Sequence, residues 1–213
     1  MKAYFIPGLA ADQRVFRHIR LPENYTAVYL DWIKPETRES LKDYAIRMAG
    51  QINTTEPFIL IGLSFGGMLA VEIAKLYHPD QLILIASIPH HRHLPAWYRL
   101  AYKAGMHRVF GVNMLKNAVY LKRYFTSETI NDKAIVKQMA RDMDPAFIRW
   151  AIRAIVHWKT DDQVLQLHHI HGTRDYILPG QMTKPQYIIP GAGHLMIFNR
   201  AEEINRILFS ILQ

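Results

Sequence analysis

Two hydrophobic patterns alternate along this chain. Short, unbroken apolar runs occur at Ala3-Tyr4-Phe5-Ile6, Thr26-Ala27-Val28-Tyr29-Leu30, Phe58-Ile59-Leu60-Ile61 and Leu82-Ile83-Leu84-Ile85, each bounded by Gly, Pro, Asn or Asp. Continuous apolar runs of this length predict strands buried on both faces, as in a parallel sheet. Similar runs at 164–170 and 186–189 predict two more strands near the end. Between the runs lie amphipathic stretches. Leu41, Ala45, Met48, Ala49 and Ile52 recur at three- and four-residue spacing and make one helical stripe. Met68, Leu69, Ile73 and Leu76 make another, in a helix that should stop before Pro79. Ile204, Ile207, Leu208, Ile211 and Leu212 make a terminal helix. This alternation predicts an α/β fold: a doubly wound, mostly parallel sheet of about six strands with helices on both faces.

The middle of the chain breaks the alternation. From Ala96 to about Lys159 the pattern is helical throughout, with candidate helices near 97–109, 114–124, 131–143 and 145–158. Asp144 followed by Pro145 is a good pair for a helix cap and first helical position. An all-helical insert between two strands of an open sheet would lie over the sheet's carboxyl edge, where α/β proteins place ligands. Residues 88–160 are therefore read as a helical cap, and 1–87 with 161–213 as the core.

Composition sharpens this picture in two respects. Lys and Arg exceed Asp and Glu by 26 to 18. Residues 88–159 hold 13 Lys/Arg against 4 Asp/Glu, a net +9, while the remainder holds 13 against 14. The positive charge is thus concentrated in the predicted cap, either as an ordinary solvated surface or as a field that steers an anionic partner. The 213 residues contain no cysteine, which rules out a disulfide scaffold, a thiolate nucleophile and a cysteine metal site. That fits a cytoplasmic protein. No apolar run approaches the ~18–20 residues of a membrane span, and the first ten residues lack a secretory apolar stretch.

The strongest local signal is Gly62-Leu63-Ser64-Phe65-Gly66, a G-x-S-x-G directly after an apolar strand and before a helix. A serine on so tight a turn needs strained backbone angles and nearly side-chain-free neighbours, which Gly62 and Gly66 supply. Serine is a weak nucleophile at neutral pH and requires a base, itself oriented by a carboxylate. Asp175 follows the fifth strand in His171-Gly172-Thr173-Arg174-Asp175, and His194 follows the sixth in Pro190-Gly191-Ala192-Gly193-His194. Parallel strands put all three loops at one edge. Asp161 and Asp162 precede the fifth strand and belong at the opposite edge. His168, His169 and His171 lie in or at the end of a strand, where a structural role is the commoner one. The oxyanion of an acyl-transfer intermediate needs two main-chain N–H donors. Phe65, after the nucleophile, is one candidate, and Leu9, in the loop after the first strand, is the other, with Ala10 as second choice.

Other chemistry finds less support. His90, His91 and His93 invite a metal reading, but consecutive histidines diverge on regular backbone and no neighbouring carboxylate completes a ligand set. No metal and no cofactor are expected. Neither a P-loop nor a dinucleotide fingerprint is present, and the basic block carries no nucleic-acid-binding motif.

The segments FIPGLAADQRVF, IGLSFGGMLA, HGTRDYILP and GAGHLMIF together resemble the α/β-hydrolase family in order and spacing. The resemblance covers both ends of the chain but not its middle, and in family terms the chain starts at the third strand. Where the family usually has His before the oxyanion glycine, this chain has Pro7 before Gly8. By this resemblance Ser64 is the nucleophile, His194 the base and then the acid, and Asp175 the residue that orients the histidine. It implies a serine hydrolase cleaving an ester or thioester through an acyl-enzyme, with the helical insert shaping the acyl pocket. The substrate is a small acyl compound, anionic if the basic cap steers it. Carbon–carbon bond cleavage on the same fold and non-catalytic ligand binding are the alternatives.

Overall fold

The computed structural model describes residues 1–105, 130–160 and 166–213. Six strands form one sheet: β1 (Lys2–Ile6), β2 (Thr26–Tyr29), β3 (Phe58–Leu63), β4 (Gln81–Ile85), β5 (Leu167–Gly172) and β6 (Tyr187–Ile189). Their order is β2-β1-β3-β4-β5-β6, and every pairing is parallel. The register aligns Ile6 with Gly62, Leu63 with Ile85 and Gly172 with Ile189, so the carboxyl ends of these strands share one edge.

Alternate residues of the apolar runs feed two separate cores. Tyr4, Ile6, Leu60, Leu82 and Leu84 pack with α1 (Leu41–Met48) and α2 (Phe65–Tyr77) on one face. Ala3, Phe5, Ile59, Ile61, Ile83 and Ile85 pack on the other face with Phe16 and with the last helix, α7 (Ala201–Ile211), through Ile204 and Leu208. Each fully buried side chain of this kind contributes about 1.5–3 kcal/mol. Double-sided burial holds for β1, β3 and β4 but not for the edges: Thr26, Ala27 and Tyr29 of β2 are exposed, and Ile188 of β6 is 58% exposed. An edge strand has a neighbour on one side only, so an apolar run there need not be enclosed.

Local sequence fixes the helix ends. The Ser40 hydroxyl accepts the Asp43 N–H at the start of α1. α2 stops at Tyr77, and His78 takes a left-handed conformation (φ 43°) just ahead of Pro79.

Between β4 and β5 the described residues form α3 (Ala96–Lys103), α4 (Ile130–Asp142) and α5 (Pro145–His157). The expected helix at 114–124 lies outside the described residues, as do Asp161 and Asp162. α5 begins as predicted, with the Asp144 carboxylate accepting the Ala146 N–H at 2.8 Å. These helices are tied to both sides of the sheet. On α4, Val136 and Met139 join the Phe5 core, Asp142 pairs with Arg14 at 2.7 Å, and buried Asp132 meets His18 at 2.9 Å. On α5, Phe147, Trp150 and Ala151 join the opposite core, and Trp150 donates to the Glu39 carbonyl at 3.0 Å. The Trp158 indole, just past α5, donates to buried Glu72 of α2 at 2.7 Å. A further short helix, α6 (Met196–Asn199), follows the β6 loop. Among the described residues no helix is long and apolar enough to cross a membrane.

Candidate active site

Ser64 occupies the single residue between β3 and α2. Its backbone sits at φ 51°, ψ −117°, a region that L-residues avoid. The surroundings impose that conformation. The Ser64 N–H donates to Ile85 O of β4 at 3.0 Å, and its carbonyl accepts from the Gly67 N–H at 3.0 Å and the Ser87 hydroxyl at 2.6 Å. The glycines are required by close approach: a Cβ on Gly62 would lie 2.5 Å from the Gly67 Cα, and one on Gly66 would lie 2.3 Å from the carbonyl oxygens of Ile6 and Pro7. The elbow is therefore packed directly against the end of β1. Gly8, in the loop that follows, is also a neighbour of the elbow, since a Cβ there would sit 3.4 Å from Ser64 Cβ. Leu9 thus lies in the loop beside Ser64. Phe65 is the first residue of α2, where the main-chain N–H groups have no helical acceptor. Its buried ring stacks on Trp32 at 5.7 Å and meets Trp150 edge-on at 6.1 Å, so an aromatic wall stands beside the serine.

His194 and Asp175 reach Ser64 from two loops that are laced together. Gly191 N–H donates to the Thr173 hydroxyl at 2.8 Å, and Arg174 N–H donates to the Ala192 carbonyl at 2.9 Å. The three predicted residues meet: His194 Nε2 is 2.9 Å from Ser64 Oγ, and His194 Nδ1 is 2.8 Å from Asp175 Oδ2. Asp175 Oδ1 accepts the N–H groups of Ile177 and Leu178, both at 2.9 Å. Burial pushes the Asp175 carboxyl toward protonation. The charge of His194 and the hydrogen bonds from His171 and His194 outweigh it and hold the group well below the usual carboxylate range.

Some of what surrounds these three residues is not apparent from the sequence pattern. Ser87 pins the elbow's carbonyl, and Thr173 pins the histidine loop. His171 is a strand histidine with a partner the pattern does not reveal, for its Nε2 lies 3.0 Å from Asp175 Oδ2. The signal for this contact was the four-residue separation within HGTRD, which a turn closes through Asp175 N–H to Gly172 O at 3.4 Å. His168 faces away to Gln81. His90 caps the turn after β4 by accepting the Arg92 N–H, and His91 accepts the Thr160 N–H at 3.1 Å. Among the described residues no three His, Asp or Glu side chains gather into a metal-ligand set.

A sequence profile described as the alpha/beta hydrolase family matches residues 3–207. The chain belongs to the α/β-hydrolase family. No curated protein sequence matches it. Among solved structures, an esterase from Thermogutta terrifontis is 17% identical, with 98% of this chain and 88% of that one covered and a TM-score of 0.71. The enol-lactonase from Burkholderia xenovorans is 15% identical, covering 99% and 90%, with a TM-score of 0.75. MenH from S. aureus is 14% identical, covering 100% and 93%, with a TM-score of 0.72. At these identities the likeness is one of fold.

A buried histidine beside the site makes the stability of this α/β hydrolase depend on pH. Burial, reinforced by the neighbouring charge of His171, depresses the His169 imidazole from 6.5 to about 3. The unfolded chain takes up that proton below about pH 6.5, whereas the folded one does not until about pH 3. Between these values the unfolded state binds more protons, so stability falls as pH drops, by a total on the order of several kcal/mol. Urea unfolding at pH 7.5 and 5 should show this loss, and His169→Gln should make it shallower.

Proposed function

We propose that this α/β hydrolase is a serine hydrolase that cleaves a carboxylic ester or thioester through an acyl-enzyme. The observation that carries the reading is the unbroken hydrogen-bonded line from Ser64 Oγ through His194 to Asp175 Oδ2. Asp175 offers only acceptors to His194 Nδ1, so Nδ1 keeps its proton and Nε2 is left bare toward the serine. As Ser64 Oγ attacks the acyl carbonyl, His194 Nε2 takes the hydroxyl proton. The Phe65 and Leu9 amides receive the oxyanion, each such donor being worth about 2.7–4 kcal/mol of barrier. Collapse expels the alcohol or thiol, which leaves with the proton from His194. Water, deprotonated by the same nitrogen, then attacks the acyl-serine; as the intermediate collapses, His194 returns that proton to the departing Ser64 Oγ and the carboxylic acid is freed. Every step is carried by the chain's own residues.

A fluorophosphonate probe should label the folded protein, with the added mass on Ser64. Labelling elsewhere, or none, would overturn the reading.

The helical segment 88–160 serves in this reading as the cap over the acyl pocket, and its net +9 supports an anionic substrate. An acyl-CoA or a carboxylate-bearing ester should then show a higher kcat/KM than a neutral short-chain ester. That advantage should shrink as salt shortens the screening length to about 10 Å at 0.1 M and below. A preference for neutral esters that salt leaves unchanged would remove steering from the account.

A further inference from the structure

The hydrogen-bonded line does not end at Asp175. Its Oδ2, which accepts from His194, also lies 3.0 Å from His171 Nε2. That same nitrogen lies 2.7 Å from the Leu178 carbonyl, and His171 Nδ1 is 2.9 Å from His169 Nε2. His171 is fully buried and His169 nearly so, at 0% and 2% exposure. A bare Nε2 would set its lone pair against two acceptor oxygens at 3.0 Å or less, so this nitrogen carries a hydrogen. Leu178 O and Asp175 Oδ2 share it. The ring cannot slide away, because His169 holds its far side and Gly180 forms its seat: a Cβ on Gly180 would come within 2.7 Å of His171 Cδ2.

We propose that His171 is a positioning residue for the triad, its Nε2–H fixing Asp175 Oδ2 where it accepts from His194, with His169 bracing His171 from behind. This deepens the serine-hydrolase reading and rests on it. Asp175 is thereby gripped at both oxygens, Oδ1 by two main-chain amides and Oδ2 by two imidazoles. Each donor to Oδ2 stabilises the carboxylate and tempers how strongly it favours a protonated His194. The titratable groups facing this chain are Asp175 and His194 from the two loops and His169 on β5. His93, from the turn after β4, also acts on His169 through its charge.

The test compares two amide substitutions at one buried site. In His171→Gln the amide nitrogen can reach the place of Nε2; in His171→Asn it ends near Nδ1 and leaves Oδ2 one donor short. His171→Gln should keep kcat and the acid limb of the kcat/KM profile near their original values. His171→Asn should lower kcat roughly tenfold to a hundredfold with KM little changed, and move the acid limb up by about half a pH unit or more. Equal loss in both variants with the acid limb unmoved, or an asparagine variant that behaves as the original protein, would overturn the proposal. Nitrogen-15 spectra of the histidine rings give a reading that needs no turnover and no variant. His171 Nε2 should be protonated and should shift as His194 titrates; an unprotonated or indifferent Nε2 would overturn the proposal even if neither variant folds. Fluorophosphonate labelling of the unmodified protein reports separately on the parent reading, so a failure of hydrolysis is distinct from a failure of positioning.

Discussion

On the serine-hydrolase reading, Ser64→Ala should lower kcat by a factor on the order of 10⁴ to 10⁶, because the attacking oxygen would be gone and His194 would have nothing to activate. The fold should survive. The hydrogen bonds by which residue 64 is held in the elbow are made by its main chain: its N–H to Ile85, its carbonyl to Gly67 and Ser87. Alanine has the same Cβ as serine and meets the same positive φ, so stability should stay within about 0.5–1 kcal/mol. Turnover per folded molecule, with circular dichroism on the same sample, separates lost chemistry from lost structure. Full turnover in the alanine variant would reject Ser64 as the nucleophile.

Asp175→Asn is expected to cost both activity and stability, and the reason lies in counting donors. Four N–H groups converge on the two carboxylate oxygens: those of Ile177 and Leu178 on one, His171 and His194 on the other. An amide has one oxygen and one NH2. Whichever way it turns, the NH2 faces two donors. If it faces His194, the imidazole is driven to the wrong tautomer and kcat falls by about 10⁴. If it faces the loop, two buried main-chain amides lose their acceptor, at about 1–3 kcal/mol. Kinetics and urea unfolding at neutral pH measure the two costs together. Acid adds a signature. The folded carboxyl titrates below its ordinary value of 3.8, so its stabilising contribution is present above that pH and drains away as pH falls further. The asparagine variant should therefore lose less stability than the original protein on going below about pH 4.

Much of this was legible in the sequence because each legible feature has a local cause. A continuous apolar run enclosed by neighbours on both sides is a central strand, as at Phe58–Leu63, and two glycines around a serine at a strand end leave few other geometries. That Ser64, Asp175 and His194 would share one edge followed from topology, since parallel strands deliver their loops there. What escaped depends on who sits beside whom across the chain. The exposure of β2 reflects its place at the end of the sheet order, which no property of Thr26 or Tyr29 encodes. His169 and His171 looked like strand histidines and are; a strand places residues two apart on one face, and that face turned out to back onto Asp175. Trp158 and Glu72 are 86 positions apart, and only the packing of α5 over α2 makes them partners.

The lacing of the β5 and β6 loops through Thr173, Arg174, Gly191 and Ala192 divides the machinery into two pieces. Imidazole and carboxylate ride on one jaw, while the hydroxyl is anchored to the other by Ile85 and Ser87. Any relative displacement of the two jaws should therefore lengthen the serine–imidazole contact first, while the imidazole–carboxylate pair travels together.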